Sequence, residues 1–135
     1  MSKVSRFEDL VVWQKARVLS FKVYQISADG PIIKDYGFKE LIRRSSVSIS
    51  SNIAEGFERG GNKEFLQFLS IAKASAAETR SLLYLASDLE YISKAESDNL
   101  IAEASEVARM ISSLMSYLKG SDKSGAKYVS NSNQT

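Results

Sequence analysis

Seven cations, Lys39, Arg43, Arg44, Arg59, Lys63, Lys73 and Arg80, lie in the middle of this 135-residue chain, and the chemistry open to them is phosphate contact. Lys and Arg release the counterions condensed on a nucleic-acid backbone, and a modest basic patch repeated around an oligomer gains avidity. The same residue types also serve as solvated helix faces or intersubunit ion pairs, and the sequence leaves both readings open. A second constellation is polar. Leu41, Ser45, Ser48, Asn52, Glu55 and Arg59 recur at helical spacing. Ser and Asn compete with the backbone for hydrogen bonds and suit a plain solvent-facing helix poorly. The stripe is therefore expected to pack against another helix, another subunit or a ligand, with Glu55 and Arg59 as an i,i+4 pair. Ser75 and Glu78 share one face of the next helix, with Lys73 and Arg80 nearby. Glu78 is expected to pair with Arg44 or Arg59 and hold the two helices in register.

Several chemistries are missing. The chain has no His and no Cys, which removes the commonest general base, the Ser-His triads, thiolate nucleophiles and disulfides. One carboxylate without a convergent partner makes a thin acid-base site, so no catalytic residue is expected. Bundle di-iron sites need Glu-x-x-His pairs, so neither metal nor cofactor is expected. Gly60–Gly61 lacks the spacing of a phosphate loop and reads as a turn. No run approaches the roughly 20 apolar residues of a membrane span, and the acidic residues Glu8 and Asp9 interrupt any signal-like start. The expectation is a cytoplasmic protein without membrane attachment. Net charge is only +2, but the distribution is uneven. Residues 1–44 carry nine Lys or Arg against five Asp or Glu, whereas residues 45–90 carry four against six.

The elements that must position these residues are helical. Val12, Ala16, Leu19, Val23 and Ile26 form one apolar stripe over residues 8–27. Leu10, Trp13, Phe21 and Tyr24 widen it, so this helix is expected to be covered on two sides. Asp29–Gly30–Pro31 ends it. A second helix spans about residues 36–57 on an Ile42, Ile49, Ile53, Phe57 stripe and stops at Gly60–Gly61. Asn62 reads as the N-cap of a third helix running from Phe65 through Leu89 toward Glu90. The pattern pauses near Ser93. Leu100, Ala104, Val107, Ile111, Leu114 and Leu118 then mark a fourth helix, which Gly120 stops. Residues 121–135 are polar and read as a short disordered tail. Four amphipathic helices on short loops predict an all-α, antiparallel up-down-up-down four-helix bundle over residues 1–120. Most aromatics fall on core stripes, leaving Tyr36, Tyr117 and Tyr128 free for stacking.

Phe7–Glu8–Asp9–Leu10, followed by Val12–Trp13–Gln14–Lys15–Ala16, resembles the opening of a small bacterial four-helix bundle family. Founding members of that family are encoded in intervening sequences of 23S ribosomal RNA genes. Ser51–Asn52–Ile53–Ala54–Glu55–Gly56–Phe57 resembles its central signature, and Lys63–Glu64–Phe65, Phe68–Leu69 and Ile71–Ala72 its third-helix signature. Leu41, Ser50 and Ala74 depart from the family's usual Gln, Pro and Gly. The resemblance implies a ring-like homo-oligomer, typically a pentamer. It also implies kinship with the accessory variability determinant of diversity-generating retroelements, which works beside a reverse transcriptase and associates with nucleic acid. Together with the basic bias, this predicts a non-enzymatic, self-associating accessory or scaffold protein. Its expected partners are RNA or DNA and a nucleic-acid-processing protein. The alternative is a protein-protein adaptor that does not bind nucleic acid.

Overall fold

The computed structural model describes residues 4–121. A 3-10 turn, Phe7–Asp9, precedes helices α1 (Val11–Ile26), α2 (Tyr36–Glu58), α3 (Asn62–Asp88) and α4 (Lys94–Lys119), and a second 3-10 turn, Pro31–Lys34, links α1 to α2. Each helix packs against its sequence neighbours, and α1 closes the bundle against α4. With connections this short the helices alternate in direction, so the all-α up-down-up-down bundle is present as expected. The tail expected over residues 121–135 lies, apart from Ser121, outside the described residues, and so does Tyr128.

The apolar stripes converge on one core, with Leu19, Ile42, Ile49, Ile53, Leu69, Leu83 and Ile111 fully buried. Phe57 and Phe65 meet edge to face inside it, ring centroids 5.9 Å apart. Two expectations fail at α1. The helix begins at Val11 rather than residue 8, because Leu10 is extended and drives its side chain into the core. Phe21 and Tyr24 are 64% and 43% exposed, so α1 is not covered on that side. Both lie on the turn faces away from Val12, Leu19 and Val23.

The loops carry much of the local order. Asp35 caps α2: its Oδ1 accepts the Phe38 N–H at 3.1 Å, and its Oδ2 accepts the Tyr91 hydroxyl at 2.7 Å. The hydroxyl first and the Phe38 amide second hold the Asp35 carboxyl below the usual carboxylate range, and the shared hydrogen bond raises the Tyr91 phenol. The α3–α4 turn closes with Tyr91 N–H donating to Ala86 C=O at 2.9 Å, while Glu90 takes a left-handed φ of 59°. Ser93 and Glu96 form a reciprocal capping box at the start of α4.

Asn62 is not the N-cap of α3. Gly61 holds that position in extended conformation, and Asn62 is the first helical residue. Its amide instead donates to Leu118 C=O at 3.3 Å and Ser121 C=O at 3.0 Å. The α2–α3 turn abuts the end of α4, whose last carbonyls lack partners within their own helix.

Candidate functional site

The polar stripe of α2 meets α3. Ser45 Oγ lies 3.0 Å from Thr79 Oγ1, and the Ser75 hydroxyl donates to Ser48 Oγ at 2.8 Å. Asn52 turns its amide back along its own helix to Ser48 O at 2.8 Å and Ser48 Oγ at 2.9 Å. Ser45, Ser75 and Thr79 are buried, and Ser48 and Asn52 half-buried. Small side chains let the two backbones approach, and their hydroxyls satisfy one another. Gly56 extends the approach: a Cβ there would stand 2.6 Å from Phe68 Cβ. Thr79 is a member of this ladder that the sequence did not reveal, because it falls on the core stripe between Ala76 and Leu83.

Beyond the ladder the two stripes come to the surface. Leu41, Glu55 and Arg59 on α2 are exposed, and so are Ile71, Glu78, Leu85 and Leu89 on α3. Among the described residues no ion pair joins Glu78 to Arg44 or Arg59, nor Glu55 to Arg59. The expected register lock is instead the hydroxyl ladder. Arg59 is drawn over the ring of Phe68, 5.1 Å from its centroid.

The seven candidate cations separate into distinct surroundings. Arg43 is tied to the end of α1: Nε donates to Ser27 Oγ at 2.8 Å, Nη2 to Ser27 O at 3.1 Å, and the guanidinium lies 4.4 Å from the Tyr24 ring centroid. A cation there offsets the negative end of the α1 dipole, a structural role. Lys39 sits over the exposed ring of Tyr36. Arg44 and Lys63 are exposed, at mid-α2 and at the start of α3. Lys73 and Arg80 turn away from Ser75 and Glu78 and line a groove between α3 and α4. Arg109, absent from the sequence-based candidates, joins them from α4. That neighbour was hidden because only the packing of α3 on α4 brings it into the same groove.

Interhelical ion pairs lie on the other flank of α4. Lys15 meets Glu106 at 3.1 Å and Lys22 meets Glu103 at 2.7 Å, both across the α1–α4 seam. Among the described residues no group of His, Cys, Asp or Glu is placed to hold a metal ion, and no helix is long and apolar enough to cross a membrane.

No curated protein matches the chain. Among solved structures, the chain is similar to a crystal structure from Bacteroides thetaiotaomicron, described as a protein of unknown function from the S23 ribosomal protein family. The likeness has a TM-score of 0.71 at 24% identity and covers 77% of this chain and 97% of that one, so it bears on the fold. Neither that description nor the family's carries a catalytic activity. The pattern of the family described as 23S rRNA-intervening sequence protein matches residues 8–113, and the chain belongs to that family.

Proposed function

We propose that the protein is a non-enzymatic, self-associating helical scaffold that binds RNA or DNA through its basic surface, as an accessory to a nucleic-acid-processing protein. The carrying observation is the partition of charge. The carboxylates that make interhelical pairs serve α1, whereas among the described residues Arg44, Lys63, Lys73 and Arg80 enter no ion pair. Unpaired cations are free to neutralise phosphates, a contact that needs no single sequence motif.

Self-association has its own support. The stripe Leu41–Ser45–Ser48–Asn52–Glu55–Arg59 and the stripe Ile71–Ser75–Glu78–Leu82–Leu85–Leu89 both advance in steps of four and three. Their central hydroxyls join α2 to α3, and their outer apolar members, Leu41, Ile71, Leu85 and Leu89, face solvent in the single chain. Covering this seam in a homo-oligomer, the pentameric ring that the family resemblance implies, removes that apolar surface from water. The protein then works in the cytoplasm.

The test is binding of labelled RNA and DNA across a salt series, on protein whose mass is fixed by sedimentation equilibrium. Saturable binding that weakens linearly in log salt supports the reading. Absence of binding at low salt overturns it and leaves the adaptor, with the α2–α3 seam as its docking face. A monomeric mass at working concentration overturns self-association. An oligomer that dissociates in Glu55→Ala or Asn52→Leu, with helicity intact, places the contact on α2.

A further inference from the structure

We infer that the groove between α3 and α4 holds the backbone of a single-stranded nucleic acid, with Arg80 and Arg109 on its phosphates and Tyr84 against a base. The inference rests on the nucleic-acid reading and assigns that reading a place and a strand form.

The groove has a volume of about 570 Å³, and its lining contains Lys73, Arg80 and Arg109 but no Asp or Glu. None of the three cations enters an ion pair among the described residues. Arg80 is half-buried in the groove wall. Its Nε is enclosed by protein and finds no hydrogen-bond acceptor. Leaving an enclosed charged donor unmatched is costly, and folded proteins match nearly all such groups. Arg43, Asn52 and Asn62 each find acceptors within the fold, and the Arg80 Nε does not. That enclosure keeps Nε away from a phosphate oxygen, so what the groove offers a phosphate is the charge of Arg80 together with that of Lys73 and Arg109.

The surroundings suit a strand. Ser105 and Ser112 line the α4 wall beside Arg109 and offer hydroxyl donors to non-bridging oxygens. Lys73 and Arg80 stand seven residues apart on α3, roughly 10 Å along the axis. Tyr84 lies one turn beyond Arg80 and is 58% exposed, so its ring is open to a base. Neighbouring packed helices are about 8–10 Å apart. A single strand can set its backbone in the furrow between them and turn a base onto Tyr84. A duplex, whose bases are stacked inside and whose phosphates ring a wide cylinder, can touch only the rim.

The test uses the full chain and fluorescein-labelled single strands of dT and U, about 20 nucleotides long to exceed one binding site, with a mixed-sequence duplex as comparison. Arg80→Ala/Arg109→Ala is expected to weaken single-strand binding at least about tenfold. It should also reduce the slope of log affinity against log salt by about 1.4, or about 0.7 for each phosphate no longer neutralised. Tyr84→Ala should weaken binding with the slope unchanged, which separates stacking from charge. Lys15→Ala/Lys22→Ala removes the same two charges from the α1–α4 flank and should leave affinity within about twofold, excluding a net-charge effect. Arg109→Ala alone, at an exposed site, covers the case in which loss of Arg80 unsettles the fold.

Wild-type binding that survives unchanged in Arg80→Ala/Arg109→Ala and in Arg109→Ala overturns the groove and leaves the nucleic-acid reading standing. Tighter binding of duplex than of single strand overturns the strand assignment. A wild-type protein that binds neither form overturns the nucleic-acid reading, and the groove assignment with it.

Discussion

Gly56→Ala and Gly37→Ala make the same substitution in the same helix, and the structure gives them opposite signs. In isolation, replacing Gly by Ala inside a helix gains up to about 1 kcal/mol. At Gly37 a Cβ meets nothing within 4 Å, so part of this gain is realised, reduced by the position in the first turn. At Gly56 the new Cβ would stand 2.6 Å from Phe68 Cβ, 2.9 Å from Phe65 Cδ1 and 3.3 Å from Phe68 Cγ. Carbon atoms pack best at about 3.5–4.0 Å, so the first contact overlaps by roughly 1 Å. The Phe65 ring can tilt, but Phe68 Cβ is bonded to the α3 backbone and moves only if the helix moves. Such a movement disturbs the Phe57–Phe65 edge contact and the hydroxyl ladder between the same two helices. Overpacking of this kind costs about 1–3 kcal/mol, occasionally more, and the upper end applies because the obstruction is near-rigid. After the propensity gain, Gly56→Ala should lose about 1–2 kcal/mol, or roughly 3–10 °C in Tm. Urea unfolding followed by far-UV circular dichroism measures both variants, with unchanged m-values securing the comparison. If Gly56→Ala is as stable as wild type, or if both variants shift the same way, the close approach of α2 and α3 is not what requires glycine.

Other expectations follow from single contacts. Thr79→Val keeps the shape and removes the hydroxyl shared with Ser45 and donated to Ser75 C=O, at a cost of about 0.5–1.5 kcal/mol. Combined with Ser45→Ala, the loss should fall short of the sum by about 0.5–1 kcal/mol in a double-mutant cycle; strict additivity would show that the two hydroxyls do not interact. Ser93→Ala breaks the capping box and should cost about 1 kcal/mol, with the first turn of α4 losing amide protection in hydrogen exchange. Tyr91→Phe removes the main cause of the low Asp35 pKa. A depressed carboxylate stabilises the fold above its unfolded pKa and loses that contribution as pH falls through the folded value. A raised phenol contributes below its unfolded pKa and loses the contribution as pH rises through the folded value. The stability gap between wild type and Tyr91→Phe should therefore be widest near neutral pH and close both below about pH 4 and above about pH 10. A gap constant across that range would mean that the Tyr91–Asp35 bond does not form in solution.

Helix number and helix faces were legible because burial repeats every three or four residues in all four segments, from Val12–Ala16–Leu19–Val23 to Val107–Ile111–Leu114–Leu118. The packed character of the α2 stripe was legible from composition, since Ser45, Ser48 and Asn52 fit a close seam better than open solvent. Other features depend on what stands opposite, and one helix's sequence does not record that. Phe21 and Tyr24 read as core because aromatic residues usually are, yet both stay exposed in the single chain, Tyr24 with the Arg43 guanidinium over its ring. Asn62 has the right chemistry for a cap, and nothing local tells whether it caps its own helix or the end of α4. Glu78 lacks a cation because Arg59 lies over Phe68 and Arg44 faces outward.

The candidate site depends on the same distinction. A net charge of +2 suggests a nearly neutral molecule, and the linear bias toward residues 1–44 does not record which of those cations the fold already engages. Of the cations in that N-terminal third, Arg43 is bound into the end of α1, and Lys15 and Lys22 are neutralised by Glu106 and Glu103. Among the described residues, the four cations of the acidic middle segment, Arg59, Lys63, Lys73 and Arg80, all stand without a carboxylate partner. There Lys73 and Arg80 face α4, while Glu78 faces the α2 side. Helical periodicity separates the two signs of charge onto opposite flanks of α3, and the α3–α4 register adds Arg109 to the basic flank. A polyanion approaching the bundle meets potential rather than net charge. On the α1 flank of α4 the carboxylates are matched by lysines, whereas the groove on its α3 flank is lined by Lys73, Arg80 and Arg109 and by no carboxylate. The polarity of this small domain therefore follows from which side of α4 its glutamates occupy.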